Sequence, residues 1–337
     1  MRLPVIVGFG GVSPAGRSSF HHAYRRTILD SIQGSERSDM FMSLASLMNL
    51  REGQNGKPLT AKNVEAEVGQ QCLDGSLIRQ LENNLFDPDN IPTHMAVELS
   101  PDNGANADAN RHTNDIIIAA KNLPNPMPEG CSAEALDGGL VRLKISDDAE
   151  LKLKTLRKLT VQSAGQLPSG FDPAALYQSR FHPRGLQLSI IAASDAVQSV
   201  GIDWETIKQH VRPDEVCVYA SSAMGQLDKC GSGGMTQARL RGERPSSKQL
   251  ALGLNQMPAD FVNAYVLGSV GSTGAAVGAC ASFLYNLRLA VDEIKSGRRR
   301  VAVVGGAEAP ITPEIIEGYA AMSALVTDEN LRKLDGV

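Results

Sequence analysis

The sequence lacks the features that mark secreted, membrane-spanning and nucleic-acid-binding proteins. Its five cysteines are odd in number, far apart and include no CxxC pair, so neither a disulfide framework nor a zinc cage is indicated. No stretch approaches the roughly 18 uninterrupted apolar residues of a membrane helix, and the N-terminal apolar run is too short for a secretory signal. Lys and Arg number 33 against 37 Asp and Glu, and the net charge of −4 is too small to favour nucleic acid or an anionic membrane. We therefore expect a cytoplasmic protein with no nucleic-acid or membrane partner.

Motifs for cofactors and metals are also missing. The glycine-rich stretch at 8–13 lacks the third glycine of a dinucleotide fingerprint and has no acidic partner about twenty residues later. The chain contains neither a P-loop nor a GxSxG serine elbow, and it has no cluster of His, Asp and Glu at metal-ligand spacing. The sequence therefore predicts no cofactor and no metal.

The chain does have enough length, at 337 residues, for about two domains and a substantial core. The β-branched run at 3–9, closed by Gly10 and Gly11, predicts a buried first strand that enters a tight turn. Residues 20–33 repeat aromatic and isoleucine side chains at i+4 spacing, which predicts a helix with one stripe facing a core.

The sequence pattern between residues 20 and 150 differs from that of the rest of the chain. Segments 36–50 and 61–82 predict moderately amphipathic helices, whereas 100–112 is rich in Asn, Asp and Gly and predicts a loop. Regular alternation of strands and helices resumes only afterwards. We interpret 20–150 as an inserted, largely helical subdomain.

From residue 184 onward the pattern is that of an α/β protein. Strands separated by helices predict a mostly parallel sheet in a layered fold. The predicted helices span 184–200, 226–241, 257–267 and 281–296, the predicted strands span 215–221 and 301–304, and 273–279 is an apolar segment.

Cys280 is the candidate nucleophile. It lies between an apolar segment and an amphipathic helix, so its thiol would lie at a helix N-terminus, a placement that favours thiolate. Its small neighbours at 278–282 would let a substrate carbonyl approach, and backbone N–H groups there would stabilise an oxyanion. The alternative from position alone is a buried structural cysteine.

Four segments, in order along the chain, resemble the β-ketoacyl synthase family of the thiolase superfamily. PVIVGFGGVSPAG at 4–16 resembles the opening strand and glycine turn, and 164–203, which contains FDP, resembles the segment and first long helix that follow. VCVYASSAMGQLD at 216–228 resembles the strand and loop before the pocket. The block 274–325 resembles the active-site region, with Cys280 at the nucleophile position. The opening followed by a long insertion resembles the FabY-type subgroup.

This resemblance implies a layered αβαβα, thiolase-like fold. Residues 1–19 and 151–337 would form the N-terminal half, 20–150 the insertion, and the C-terminal half would lie outside the sequence. The implied reaction of fatty-acid biosynthesis is a decarboxylative Claisen condensation, in which Cys280 takes an acyl group and malonyl-acyl carrier protein then attacks it to give a 3-oxoacyl carrier protein. The Cys280 N–H would be one oxyanion-hole donor.

The resemblance also implies partners. These are acyl carrier protein, an acyl-CoA or acyl-carrier donor, and a second copy of the chain in a homodimer. In that homodimer the strand before Cys280 would pair across the two-fold axis. The subgroup resemblance implies acetyl-CoA as the primer, with longer acyl carriers as the alternative.

The chain departs from the family in its histidines. The family's two catalytic histidines and its lysine follow the nucleophile, but no histidine follows Cys280. We expect solvated or core roles for the six that precede it, and we expect this chain to be the N-terminal portion of a longer synthase that does not condense by itself. Those six are His21, His22, His94, His112, His182 and His210.

Two other functions stay open. A noncatalytic partner of a condensing enzyme, like the chain-length factors that share the fold, would usually have lost its nucleophile, whereas this chain retains Cys280. A thiolase-type acyltransferase is the second alternative, and the resemblance to the elongating group argues against it. Glu308, in VGGAEA, is expected to be a structural carboxylate that accepts backbone hydrogen bonds.

Overall fold

The computed structural model describes residues 3–53, 56–82, 84–97, 115–146, 149, 151–308 and 311–335. The chain divides into two units, of which the first joins Met1–Phe86 to Thr160–Val337 and the second is Asp87–Leu159. Cys280 lies in the first unit. None of the helices in the described ranges combines the length and the apolar character needed to cross a bilayer.

The described α-helices all belong to the first unit. They are α1 (His22–Thr27), α2 (Gly34–Leu47), α3 (Val64–Asp74), α4 (Arg184–Ser199), α5 (Trp204–Lys208), α6 (Ser232–Ala238), α7 (Ser247–Leu252), α8 (Met257–Val262), α9 (Ser282–Lys295), α10 (Pro313–Ala321) and α11 (Asp328–Asp335).

The strands that the structure describes fall into five small sheets. They are β1 (Val12–Ser13), β2 (Gly16–Arg17), β3 (Ile78–Gln80), β4 (Ile91–Val97), β5 (Asp115–Ala119), β6 (Cys131–Leu136), β7 (Leu140–Ile145), β8 (Leu151–Arg157), β9 (Ser163–Gly165), β10 (Val216–Ser221), β11 (Ser272–Gly274) and β12 (Val301–Gly306).

A parallel sheet of order β11-β10-β12 carries the layered part of the fold. Side chains of a strand point alternately to its two faces. On one face of β10, Val216, Val218 and Ala220 join a core built with α4 and α8. On the other face, Ser221 accepts a hydrogen bond from Asn286 of α9. The sheet therefore lies between helices, as the α/β alternation predicts.

A second core in the same unit belongs to the region predicted as an insertion. It is formed by α2 and α3, where Met40, Phe41, Leu44 and Val64 are at most 1% exposed. The predicted helix at 61–82 is shorter in the structure, because α3 ends at Asp74 with Gly75 as its C-terminal cap.

After Asp74, the described part of that region contains strands and two short 3-10 helices but no α-helix. In the second unit β4 pairs antiparallel with β8, and β7 lies between β5 and β6. The Ile116–Ile118 run of β5 is β-branched and suits a strand better than a helix. The expectation of a largely helical insertion therefore holds only to Asp74, and the predicted loop at 100–112 lies outside the described residues.

The predicted first strand is wrong in its burial and pairing. Residues 3–9 belong to no sheet that the structure describes, and Leu3, Ile6 and Val7 are at least 68% exposed. The chain instead approaches α4: a Cβ on Gly10 would collide with the backbone of Ala196. Glycine is needed there for a close approach to a helix, in addition to the turn predicted from sequence.

The predicted helix at 20–33 is also wrong at its start. Phe20 and His21 have φ of +54° and +63°, left-handed values that an α-helix does not contain, so α1 begins at His22. The side chains of Phe20 and Tyr24 are 56% and 62% exposed, and only Ile32 of the expected stripe is buried in the core.

Candidate active site

Cys280 lies in the connection between β11 and α9. β11 ends at Gly274, α9 begins at Ser282, and the Cys280 side chain is exposed. Ala279, directly before it, has a φ of +49°. A left-handed residue with a side chain costs about 1–3 kcal/mol and persists only where its surroundings hold it. The sequence predicts Cys280 at the start of a helix, and the structure confirms that position.

Ser282 holds the turn on the helix side of Cys280. Its hydroxyl donates to the Ala279 carbonyl at 2.7 Å and accepts from the Gly278 N–H at 3.0 Å. Its backbone N–H also donates to the Ala279 carbonyl, at 3.1 Å. A Cβ on Gly278 would collide with the ring of Tyr285, so glycine lets the turn close against the helix. These contacts fix the backbone on both sides of Ala279.

Asn286 and Ser221 hold the strand side of the same connection. The Asn286 Oδ1 accepts from the Ala276 N–H at 2.7 Å, and its Nδ2 donates to the Ser221 hydroxyl at 2.8 Å and to the Ala276 carbonyl at 3.2 Å. The Ser221 hydroxyl donates to that carbonyl at 2.8 Å. Asn286 is 0% exposed and Ser221 is 1% exposed.

Sequence reasoning missed both of these residues. An amphipathic helix would be expected to bury its large apolar side chains, but Phe283 is half-exposed and the buried residues of α9 are Ser282, Asn286 and Ala290. The i+4 spacing of these three residues could have placed Asn286 on the packed face of α9, but no sequence signal points to Ser221 or to its bond with Asn286.

Glu308 is a structural carboxylate, as predicted. It follows β12 and accepts hydrogen bonds from the Ala223 N–H and, at 3.3 Å, from the Ser222 hydroxyl. These contacts tie the end of β12 to the loop after β10. Asn255 braces the same loop, because its Nδ2 donates to the carbonyls of Ser222 and Ala223 at 2.8 and 3.0 Å.

The other cysteines differ from Cys280 in burial. Cys72 and Cys217 are buried, and burial raises the pKa of each thiol to about 11. Burial also raises the pKa of Cys230, which is partly exposed. A raised pKa leaves less thiolate, the nucleophilic form. Among the described cysteines, Cys280 alone is exposed.

The described histidines form no group with Cys280. His182 lies between two tyrosines, with its Nδ1 3.0 Å from the Tyr177 hydroxyl and its Nε2 3.3 Å from the Tyr265 hydroxyl. Burial lowers the pKa of His182, and Lys248 lowers it further. This cluster lines a cavity of about 920 Å³ that Cys280 does not line.

His21 and His22 line a second cavity, of about 760 Å³, with Arg17 and Arg25. Burial lowers the pKa of His22 too. His112 lies outside the described residues. In the described ranges, no three His, Cys, Asp or Glu side chains gather as metal ligands would.

Comparison with known families identifies the class of domain. A family model described as "Beta-ketoacyl synthase, N-terminal domain" matches residues 111–336, which include β11, Cys280 and α9. The match therefore covers the whole β11-β10-β12 sheet and the turn that presents the thiol.

Individual relatives agree with the family model. The chain is 48% identical to the "Beta-ketoacyl-[acyl-carrier-protein] synthase FabY" of Pseudomonas aeruginosa, over 99% of this chain and 53% of that protein. It is 25% identical to the fatty acid synthase alpha subunit stcJ of Emericella nidulans, over 97% of this chain and 21% of that protein. The chain thus spans about half the length of the first relative and about a fifth of the second.

A solved structure extends the likeness to three dimensions. The crystal structure of the noncanonical ketosynthase FabY from P. aeruginosa matches with a TM-score of 0.90 and 48% sequence identity. The match covers 99% of this chain and 52% of that one.

Proposed function

The chain belongs to the β-ketoacyl synthase family, whose thiolase-like α/β fold it has, and we propose that it carries the nucleophile of a 3-oxoacyl-acyl carrier protein synthase of fatty-acid biosynthesis. The observation that carries this proposal is the exposed Cys280 thiol on a constrained turn, directly before α9 and inside the region that matches the family. The fold brings no second exposed cysteine to this turn in the described part of the chain.

The first half-reaction is acyl transfer. The Cys280 sulfur attacks the carbonyl carbon of an acyl thioester, the carbonyl oxygen gains negative charge, and the thiol of the donor leaves. Thiolate suits this step because it is both a strong nucleophile and a good leaving group. The backbone N–H of Cys280 is the proposed donor to the oxyanion, and such a donor acts most strongly when it is fixed in advance.

The second half-reaction is condensation. Malonyl-acyl carrier protein loses carbon dioxide, the resulting enolate attacks the acyl carbon on Cys280, and the sulfur leaves to give a 3-oxoacyl carrier protein. The enolate needs hydrogen-bond donors, which the family resemblance assigns to histidines that follow the nucleophile, and no histidine follows Cys280 in this chain. The step that this chain's own residues support is therefore acyl transfer.

Partners and location belong to the same proposal. The substrates are an acyl-CoA or acyl-carrier primer and malonyl-acyl carrier protein, and the primer that the subgroup resemblance implies is acetyl-CoA. The assembly is a homodimer and its location is the cytoplasm. A noncatalytic partner like the chain-length factors is the second candidate, and an exposed, retained Cys280 disfavours it.

Intact-mass spectrometry of the complete gene product tests the proposal. Incubation with acetyl-CoA should add one acetyl group per chain, and peptide mapping should place it on Cys280. Cys280→Ala should abolish the adduct, while the matched control Cys230→Ala should keep it. An unmodified protein with every acyl donor would refute the enzyme in favour of the noncatalytic partner, and a preference for long acyl carriers would refute acetyl as the primer.

A further inference from the structure

The turn before Cys280 needs support on both sides. Ala279 is held in a left-handed conformation, which an alanine adopts only when neighbouring contacts impose it. Ser282 supplies such contacts from the first residue of α9. On the strand side, Ala276 lies four residues before Cys280, and its position determines where the turn begins.

Both backbone groups of Ala276 are bonded to one side chain. The carboxamide of Asn286 accepts from its N–H and donates to its carbonyl, at 2.7 and 3.2 Å. A carboxamide can do this because it carries a donor and an acceptor at fixed separation. Ser221, the last residue of β10, bonds to the same carbonyl and to Asn286. Ala276 is thus joined to a helix and to a strand at once.

The placement of the two side chains makes this contact stiff. Asn286 lies in the second turn of α9, and Ser221 lies in the middle strand of the described β11-β10-β12 sheet. Both are almost completely buried, so water does not compete for their hydrogen bonds. Loss of either side chain would leave buried backbone groups of Ala276 with fewer partners, and the connection would shift to recover them.

We propose that Asn286, braced by Ser221, is a positioning residue for acyl transfer. It fixes the connection from β11 to Cys280 so that the Cys280 N–H points at the developing oxyanion. This inference rests on the proposed function, since only a reaction with an oxyanion needs that direction. The hydrogen bonds of the Asn286 side chain go to Ala276 and Ser221, so it would act on Cys280 through the backbone.

Two reactions of Cys280 separate positioning from simple structural support. Acyl transfer needs the thiol and a correctly directed N–H, whereas alkylation by iodoacetamide needs the thiol alone because it forms no oxyanion. If Asn286 sets the direction of the N–H, its loss should slow acyl transfer much more than alkylation. A displacement of about 1 Å in a reacting group costs on the order of 100-fold in rate.

The experiment uses Asn286→Leu and Ser221→Ala in the complete gene product. Ser189→Ala is the matched control, because Ser189 is also buried and its hydroxyl also donates to a backbone carbonyl at 2.8 Å, but within α4. Single-turnover acetylation from acetyl-CoA, alkylation by iodoacetamide and the melting temperature are measured for each variant. Ser221→Ala should lower the melting temperature more than Ser189→Ala, because the Ser221 hydroxyl bonds to both Ala276 and Asn286, whereas the Ser189 hydroxyl bonds only within its own helix.

The expected result is a split between the two reactions. Acetylation should fall about 100-fold in Asn286→Leu and about 10-fold in Ser221→Ala, while alkylation stays within about twofold of the wild type. Ser189→Ala should keep both rates. Equal loss of both rates, or no loss in Ser221→Ala, would overturn the inference and leave the proposed function intact. Absence of acetylation in the wild type would overturn the proposed function and the inference with it.

Discussion

At the scale of single residues, we expect the five cysteines to differ in reactivity mainly because they differ in burial. The thiols of Cys72 and Cys217 have a pKa of about 11, because desolvation disfavours their charged form. At pH 8, a thiol with such a pKa is roughly one part in a thousand thiolate. Cys280 is exposed, so a reagent in solution reaches its side chain directly.

We therefore predict an order of labelling. Iodoacetamide at pH 8 should modify Cys280 well before Cys72 and Cys217, and raising the pH toward 11 should accelerate the two buried cysteines as their thiolate fraction rises. Peptide mapping by mass spectrometry over a time course measures the order. In denaturant, the control condition, all five should react at similar rates. Labelling of Cys217 as fast as Cys280 in the folded protein would contradict the prediction.

At the scale of elements, one carboxylate joins the N-terminal turn to α4. Asp195 is 7% exposed and accepts from the Gly11 N–H at 2.9 Å, the Ser19 hydroxyl at 2.8 Å and the Arg17 guanidinium at 2.6 Å. Hydrogen bonds to a charged group in such a place contribute more than neutral ones. This contact and the antiparallel pairing of β1 with β2 together hold the glycine turn in the structure.

Asp195→Asn keeps the size of the side chain but removes its charge. We expect the free energy of unfolding to fall by about 2 kcal/mol, because three donors lose a charged acceptor and Arg17 loses its ion-pair partner. The control is Glu329→Gln on α11, whose ion pair with Lys333 is mostly exposed and should contribute less than about 0.5 kcal/mol. Urea unfolding titrations measure both changes in the free energy of unfolding. The dependence of that free energy on urea concentration should stay the same in both variants. An equal, small effect of the two substitutions would show that the Asp195 contacts do not stabilise the fold.

The elements that could be predicted from sequence are those whose secondary structure follows from the pattern of apolar residues within them. β10, β12, α4, α8 and α9 have clear apolar periodicity and lie where that pattern predicts. Residues 3–9 have a strand-like composition, but a strand also needs a neighbour, which composition does not reveal. The positive φ of Phe20 has no sequence signal, because bulky residues rarely adopt it.

The residues of the candidate site also divide into those that could be predicted from sequence and those that could not. The position of Cys280 before a helix could be predicted, since a cysteine among small residues at the start of an amphipathic helix has a recognisable pattern, while its role as the nucleophile stays a prediction. Asn286 and Ser221 could not, because their role depends on two elements that meet only in the folded chain. A search for apolar stripes passes over a buried carboxamide on the packed face of a helix.

At the scale of the whole molecule, the edge of the β11-β10-β12 sheet bears on the proposed homodimer. Within the described residues β11 pairs with β10 alone, so its other edge has no strand beside it. Val270 and Val277, on either side of β11, are 88% and 51% exposed. Proteins cover edge strands or block them with charge, since a bare edge invites pairing with another chain. A second copy of this chain, related by a two-fold axis, would cover this edge with the same edge of its own.

Val270→Lys should therefore weaken the dimer of the complete gene product, because the substitution places a charge next to the edge that the two copies would share. Light scattering over a dilution series should show a shift toward the mass of a single chain at concentrations where the wild type stays dimeric. Ile202→Lys is the matched control, since Ile202 is 54% exposed and lies after α4, away from β11 in sequence. It should leave the mass unchanged. If Val270→Lys also leaves it unchanged, the edge of β11 does not form the dimer, and Val270 must be covered by another part of the protein or tolerate exposure.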